Sequence, residues 1–144
     1  MQSDFYPNYS IEYSNPLRTQ STHIKSGNTI ITDAPTDNHG KGEAFSPTDL
    51  LSSSLISCVM TIIGIAANRD SIEIVSMNAE VAKEMSSNPR RVTKVCALIH
   101  ISLKGATEKD AERLKRIGLA CPVARSLSSD LVQDIKFNIN FSES

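Results

Sequence analysis

The chain has 144 residues, of which 40% are hydrophobic and 22% are charged, and its formal net charge is −1. This length and apolar content suit one packed core, so we expect a single domain over residues 1–144. No segment concentrates Lys and Arg, which argues against nucleic acid or an anionic membrane surface as a partner.

The N-terminal residues, Met1 to Tyr9, lack the basic start and the apolar core of a secretory signal. We therefore expect the protein to remain in the cytoplasm. Because the cytosol keeps structural thiols reduced, three cysteines in such a chain do not indicate a framework of structural disulfides. Any disulfide is expected to be transient and part of the chemistry.

The first part of the chain alternates β-branched and aromatic residues with polar ones from Tyr9 to Asp33. Asn15-Pro16 and Ser26-Gly27-Asn28 interrupt this alternation with turn-forming residues, so the pattern predicts a three-stranded meander. The following stretch, Ala34 to Phe45, is rich in Gly, Pro, Asp and Asn and indicates a loop. This loop is long enough to suggest that it lies near a functional site.

A long apolar helix follows the loop. Ser46 is a favourable N-cap, Pro47 suits the first helical position, and Asp49 can complete a capping box. The helix is expected to run to about Asn68, with apolar residues around most of its circumference, as in a helix enclosed by other elements. Its apolar stretch, Leu50 to Ala67, is interrupted by Ser, Thr and Gly and is shorter than the roughly 20 residues that span a bilayer. We interpret it as the central, buried helix of the fold.

Two long strand-like runs come next, Ile72 to Met85 and Arg91 to Leu103, and the residues between them predict a hairpin turn. Thr107 then caps an amphipathic helix that ends near Gly118, with apolar residues on one face and charged residues on the other.

The C-terminal part contains a short helix and a last strand. Cys121-Pro122 is expected to begin the helix, which ends at about Ser128, and the alternation from Leu131 to Phe141 predicts the strand. Strands and helices are thus grouped along the chain instead of alternating regularly, which is typical of the α+β class.

The cysteines are the residues with the clearest chemical potential. Cys58 lies in the middle of the buried helix, where a lone cysteine is either a small core residue or a functional thiol. Cys121 lies at a helix N-terminus, where free N–H groups and the helix dipole favour a thiolate, although it can equally be a simple capping residue. Cys96 belongs to an alternating strand and is expected to pack or to face solvent.

Other common site motifs are absent from the sequence. It has no CxxC pair, and His23, His39 and His100 lack a partner at helical spacing, which argues against a metal site. There is also no glycine-rich nucleotide motif and no GxSxG elbow, so nucleotide chemistry and triad hydrolysis are unsupported. Glu43, in the glycine-rich loop, is either a surface residue or part of a site.

The run from Phe45 to Cys58 resembles the Pro-x-Glu/Asp-Leu-Leu-x-Ala-Ala-Leu-x-x-Cys signature of the osmotically inducible protein and organic hydroperoxide resistance (OsmC/Ohr) family. Thr32-Asp33-Ala34-Pro35 and the segment from Ala120 to Leu127 resemble the flanking motifs of that family. The order of the elements also agrees, so the resemblance extends over nearly the whole chain.

This resemblance implies an intertwined homodimer with two central helices, sheets built from both chains, and two active sites at the interface. It further implies an antioxidant stress-response enzyme that reduces organic hydroperoxides. In that chemistry Cys58 is the peroxidatic thiolate, Cys121 resolves its sulfenic acid as a disulfide, and a dithiol reductant closes the cycle without a bound cofactor.

The resemblance also implies an arginine beside the peroxidatic cysteine, because an ordinary thiol is mostly protonated at neutral pH. Arg18 is the candidate. In the peroxidase branches of the family a glutamate ten residues before that cysteine orients the arginine, but here this position is Thr48. The neighbouring Asp49 matches a less characterised branch, so Asp49 or Glu43 is the expected replacement carboxylate.

The alternative function is a non-enzymatic dimer that binds a small molecule or senses oxidation.

Overall fold

A computed structural model describes residues 5–143 of the protein and confirms the α+β class. The elements are β1 (Tyr9–Ser14), β2 (Arg18–His23), β3 (Thr29–Asp33), a 3-10 turn (Thr36–Asn38), α1 (Pro47–Arg69), β4 (Glu73–Ser87), β5 (Arg90–Lys104), α2 (Glu108–Leu119), α3 (Pro122–Ser126) and β6 (Val132–Ser142). The chain divides into two compact units, Met1–Leu50 and Leu51–Ser144. A single domain over residues 1–144 stays a prediction.

The first unit contains the predicted meander. Its three strands form an antiparallel sheet in the order β1-β2-β3, in which Arg18 of β2 lies opposite Asp33 of β3. The predicted cap of α1 is also present: the Ser46 hydroxyl accepts the Asp49 N–H at 3.0 Å, and the Asp49 carboxylate accepts the Ser46 N–H at 2.9 Å. These reciprocal bonds satisfy backbone donors at the start of the helix.

The second unit contains a sheet in the order β4-β5-β6. β4 and β5 form the predicted hairpin, and β6 lies on the other side of β5 and parallel to it. The two hairpin strands are longer than the sequence pattern indicated, because the ladder continues to the pair Ser87 and Arg90. The turn therefore consists of Asn88 and Pro89 alone.

The core of the second unit lies on one face of this sheet. Alternate residues of β5 are buried, namely Val95, Ala97, Ile99, Ile101 and Leu103, as expected for a strand with one face against a core. They share one cluster with the α1 residues Leu55, Val59 and Ile63, which are fully buried, and with Ala111 and Leu114 of α2.

α1 is the core helix that the sequence predicted. By length and composition it is also apolar enough to cross a membrane, and it is the one helix among residues 5–143 that meets this criterion. Core helices meet the same criterion, and the burial of Leu55, Val59 and Ile63 shows that α1 is one of them.

Candidate functional site

Cys58 and Cys121 interact directly in the second unit. Cys58 is partly exposed in the middle of α1, whereas Cys121 is 1% exposed and forms the N-cap of α3. Both thiols are free, and Cys58 is close enough to Cys121 to act on its ionisation. The fold thus brings together two reduced sulfur atoms whose residues are 63 positions apart along the chain.

The pKa of Cys121 is raised above the ordinary value of a cysteine. Burial is the largest cause, because a thiolate loses more hydration than a thiol, and the hydrogen bond and charge of Cys58 raise the pKa further. The N–H groups of Ala124 and Val123 act in the opposite direction, with the Ala124 N–H donating to the Cys121 sulfur at 3.4 Å. The sequence predicted that the helix N-terminus would favour a thiolate here, but burial outweighs that effect.

The chemistry available to this pair is therefore asymmetric. Cys121 is buried and held protonated, while Cys58 is the more accessible sulfur. A protonated Cys121 can donate a hydrogen bond to a thiolate at Cys58, and it can form a disulfide once Cys58 has been oxidised.

Cys96 does not belong to this pair. It pairs in the sheet with Ala82 and Asp134, and it alternates with the buried residues Val95 and Ala97. Its side chain therefore lies on the face of the sheet away from the core, as the sequence pattern allowed. Among residues 5–143 no group of His, Cys, Asp and Glu side chains has a geometry suited to a metal ion.

Arg18 forms an ion-pair cluster in the first unit. Its Nε donates to Asp33 Oδ1 at 2.7 Å, and its Nη2 donates to Asp33 Oδ2 at 2.8 Å and to Glu43 Oε1 at 3.2 Å. These carboxylates raise the pKa of Arg18, mainly through the Asp33 hydrogen bonds, and Arg18 in turn lowers the pKa of Asp33. The arginine is thus permanently charged and held in one orientation.

The loop between β3 and α1 is tied to the same cluster. The Glu43 N–H donates to Asp33 Oδ2 at 3.1 Å, and the Asp33 N–H donates to the Phe45 carbonyl at 3.1 Å. The loop also requires glycine at position 40, since an added Cβ would lie 1.7 Å from the carbonyl oxygen of Ala34. These contacts fix the backbone that carries Glu43.

The other two predicted site residues, Glu43 and Asp49, lie in different parts of the first unit. Glu43 contacts Arg18, but its side chain is 65% exposed. Asp49 lies in the first turn of α1 and forms the cap with Ser46, and the Thr48 hydroxyl lies 3.1 Å from the Ser46 hydroxyl.

Asp33 is the residue of this cluster that the sequence analysis did not identify as functional. It is 0% exposed and forms the closest contacts with Arg18. The feature that marks Asp33 as a partner of Arg18 is its position directly opposite Arg18 in the β2–β3 ladder. The sequence does not fix this register, because the turn between the two strands has five residues, 24–28.

Comparisons with known proteins agree with this fold. The family model for OsmC-like proteins matches residues 40–136. A protein from Psychrobacter arcticus 273-4, described as an osmotic stress induced and detoxification response protein, is 43% identical, with a TM-score of 0.86 over 96% of this chain and 100% of that chain.

More distant structures share the fold. An OsmC-like protein from Mycoplasma pneumoniae is 16% identical, with a TM-score of 0.74 over 96% of this chain and 98% of that chain. An organic hydroperoxide resistance protein OsmC from Legionella pneumophila is also 16% identical, with a TM-score of 0.65 over 96% of this chain and 99% of that chain. A search of the curated proteins found no significant match. The matched family model and the high identity to the Psychrobacter protein show that the chain belongs to the OsmC/Ohr family of OsmC-like proteins.

Proposed function

We propose that the protein is a cysteine-dependent thiol peroxidase that reduces organic hydroperoxides. The observation that carries this proposal is the direct interaction between two free thiols, of which Cys58 is accessible and Cys121 is buried and protonated. The distant relative from Legionella, described as an organic hydroperoxide resistance protein, is consistent with this substrate class.

In the proposed reaction the Cys58 thiolate attacks the terminal oxygen of the hydroperoxide. The S–O bond forms as the O–O bond breaks, and the alcohol leaves after it takes up a proton, so that Cys58 becomes a sulfenic acid. Cys121 then loses its proton and attacks the Cys58 sulfur, which releases water and leaves a disulfide. A dithiol reductant restores both thiols and is itself oxidised to a disulfide.

Arg18 is the proposed cation that favours the Cys58 thiolate. Support comes from its permanent charge and from the ion pairs that hold its guanidinium in place. An opposite charge close to an acidic group stabilises its charged form, which is the requirement for attack by Cys58. Glu43 contributes a second carboxylate to Arg18, and Asp49 supports the start of the helix that carries Cys58.

We further propose a cytoplasmic homodimer. The exposed side of α1 carries Ser57, Thr61 and Ile65 at helical spacing, and Ile65 is 58% exposed in the single chain. The first sheet also exposes apolar side chains on one face, namely Tyr9, Ile11, Tyr13 and Ile30. A second copy of the chain would remove such surfaces from water.

The decisive experiment measures the consumption of cumene hydroperoxide with dithiothreitol as the reductant. We expect turnover by the wild type, loss of turnover to the uncatalysed rate in Cys58→Ser, and near wild-type turnover in Cys96→Ser, the matched control. Mass spectrometry after one equivalent of hydroperoxide should find a disulfide between Cys58 and Cys121.

Equal rates in the wild type and Cys58→Ser would refute the peroxidase proposal. A wild type that forms the disulfide but does not turn over would instead support the redox-sensing alternative. If the wild type neither forms the disulfide nor turns over, the small-molecule-binding alternative gains support.

A further inference from the structure

We propose that Gly118, near the end of α2, is the positioning residue that allows Cys121 to reach the sulfur of Cys58. This inference rests on the proposed function, in which Cys121 attacks Cys58 once Cys58 has been oxidised. It assigns a role in that second step to a residue without a functional group of its own. All three residues belong to the second unit.

The first observation is how closely α2 approaches α1 at Gly118. Gly118 is buried, and a Cβ added to it would lie 2.6 Å from Ile63 Cγ1 and 3.2 Å from Val59 Cγ1. Ordinary contacts of a Cβ atom are 3.4–4 Å long. Ile63 and Val59 are both 0% exposed, so they are enclosed in a close-packed core and cannot move aside freely. Any side chain at position 118 would therefore push the end of α2 away from α1.

The second observation is where this close approach lies relative to the two thiols. On α1, Val59 directly follows Cys58, and Ile63 is five residues, or about 7.5 Å along the helix axis, beyond Cys58. On the other side of the contact, Gly118 is three residues from Cys121. The closest packing of α2 against α1 is therefore next to the cysteine pair.

The third observation is that Cys121 cannot move independently of Gly118. Only two residues lie between them, and the Cys121 N–H donates to the Gly118 carbonyl at 3.1 Å, which closes this segment into a turn. Beyond Cys121, the Gln133 side chain of β6 donates to the Ala124 carbonyl at 3.1 Å and ties α3 to the sheet. Cys121 is thus held from both sides, and a shift of the end of α2 changes its distance from α1.

The resolving step is sensitive to such a shift. Attack of a thiolate on another sulfur requires the two sulfur atoms to meet in a defined geometry. A misplacement of about 1 Å can slow a reaction between two held groups by about 100-fold. Cys121 is 1% exposed, so it cannot swing through solvent to compensate. Loss of the glycine should therefore slow the attack by Cys121 and leave the reactivity of the more accessible Cys58 intact.

The test separates the two steps with a small disulfide probe, 2-hydroxyethyl disulfide. The Cys58 thiolate attacks the probe and forms a mixed disulfide as 2-mercaptoethanol leaves. Cys121 then loses its proton and attacks the Cys58 sulfur, which forms the internal disulfide and releases a second 2-mercaptoethanol. Acid quenching and mass spectrometry follow both species with time. In Gly118→Ala we expect the mixed disulfide to form at the wild-type rate but to persist about tenfold longer, within the range for a misplaced group.

The matched control is Ala111→Gly. This variant weakens α2 at another buried position without pushing the helix away from α1, and we expect it to leave the second step unchanged. If Gly118→Ala acted only by lowering stability, Ala111→Gly would slow that step as well.

A second substitution on α1 tests the contact itself. Ile63→Ala removes the two side-chain atoms that lie 2.6 and 2.9 Å from the Cβ added at position 118. The double variant Gly118→Ala/Ile63→Ala should therefore resolve the mixed disulfide as fast as Ile63→Ala alone. Should Gly118→Ala fail to fold, as judged by circular dichroism, Gly118→Ala/Ile63→Val takes its place, because valine lacks only the δ-carbon. This variant should resolve the mixed disulfide more slowly than Ile63→Val.

An unchanged second step in Gly118→Ala, an equal slowing in Ala111→Gly, or no recovery in the double variant with Ile63→Ala would overturn the inference. Where Gly118→Ala does not fold, equal rates in Gly118→Ala/Ile63→Val and Ile63→Val would do so. The probe is not a peroxide, so the role of Gly118 in disulfide formation can hold even if the wild type shows no peroxidase turnover. A wild type that never forms the internal disulfide would refute both this role and the resolving role of Cys121.

Discussion

The burial of Cys121 separates the roles of the two thiols. With 1% exposure its sulfur is shielded from solvent, and a second negative charge beside a Cys58 thiolate would be unfavourable in that environment. The helix that Cys121 caps has only five residues, and the hydrogen bond from the Ala124 N–H to its sulfur is 3.4 Å long. These contacts are too weak to overcome desolvation. A buried, protonated partner suits a resolving cysteine, because it leaves the first attack to Cys58.

The raised pKa of Cys121 predicts a dependence of stability on pH. A group whose pKa is higher in the folded state contributes stability that is complete below its unfolded pKa, about 8.5 for cysteine, and is lost as pH rises through the folded value. We expect the free energy of unfolding, from urea titrations of reduced protein, to fall between neutral and alkaline pH more in the wild type than in Cys121→Ser. The difference isolates Cys121 from other titrating groups, and an equal fall in both proteins would contradict the assignment.

The residues of the cluster around Arg18 differ in how far the sequence could predict them. Arg18 and Glu43 could be named in advance, and the structure places them in contact. Asp33 appeared in the sequence only within a segment that resembles a family motif, and its contact with Arg18 comes from a cross-strand register and from burial, both of which depend on how the chain packs. The interaction between Cys58 and Cys121 was an expectation from the family resemblance, since no local pattern brings such distant residues together.

The helices show the same division between local and tertiary information. Their starts are encoded locally, and the predicted caps at Ser46 and Thr107 are both present. The end of α2 also agrees with the sequence pattern, which predicted an end near Gly118, and the helix ends at Leu119. Gly118 is buried there, and an added Cβ would lie 2.6 Å from the Ile63 side chain of α1. This glycine therefore permits close packing of two helices, a tertiary role that the sequence pattern did not indicate.

That contact predicts the effect of Gly118→Ala. The new methyl group must displace Ile63 or separate α2 from α1, at a cost of about 1–3 kcal/mol for overpacking. Alanine regains up to about 1 kcal/mol of helix propensity, so we expect a net loss of about 1–2 kcal/mol in urea denaturation. Arg116→Ala, at an exposed position of the same helix, is the control and should change stability by less than about 0.5 kcal/mol. A stabilised Gly118→Ala would show that the two helices do not pack this closely.

At the scale of the whole molecule, the exposed apolar surfaces are the main feature that a single chain leaves unexplained. The sequence predicted a helix that is apolar all round and enclosed, yet Ser57, Thr61 and Ile65 face outward from α1. A partner that covered this face would bury the large apolar side chain of Ile65 beside two hydroxyl-bearing residues. Composition alone could not identify which residues of the helix would remain exposed.

The proposed homodimer can be tested by a substitution on the exposed side of α1. Ile65→Lys places a charge on the exposed side of α1, and burying that charge in an interface without a partner would be strongly unfavourable. We therefore expect this variant to shift toward monomer in sedimentation velocity, while the wild type sediments as a dimer.

The matched control is Leu98→Lys. Leu98 is also exposed, and it lies on the face of the sheet away from the buried Ala97 and Ile99, between Glu80 and Lys136 of the neighbouring strands. A wild type that sediments as a monomer would remove the homodimer from the proposal. Dissociation of Leu98→Lys with retention of the dimer in Ile65→Lys would instead place the interface on the outer face of the second sheet.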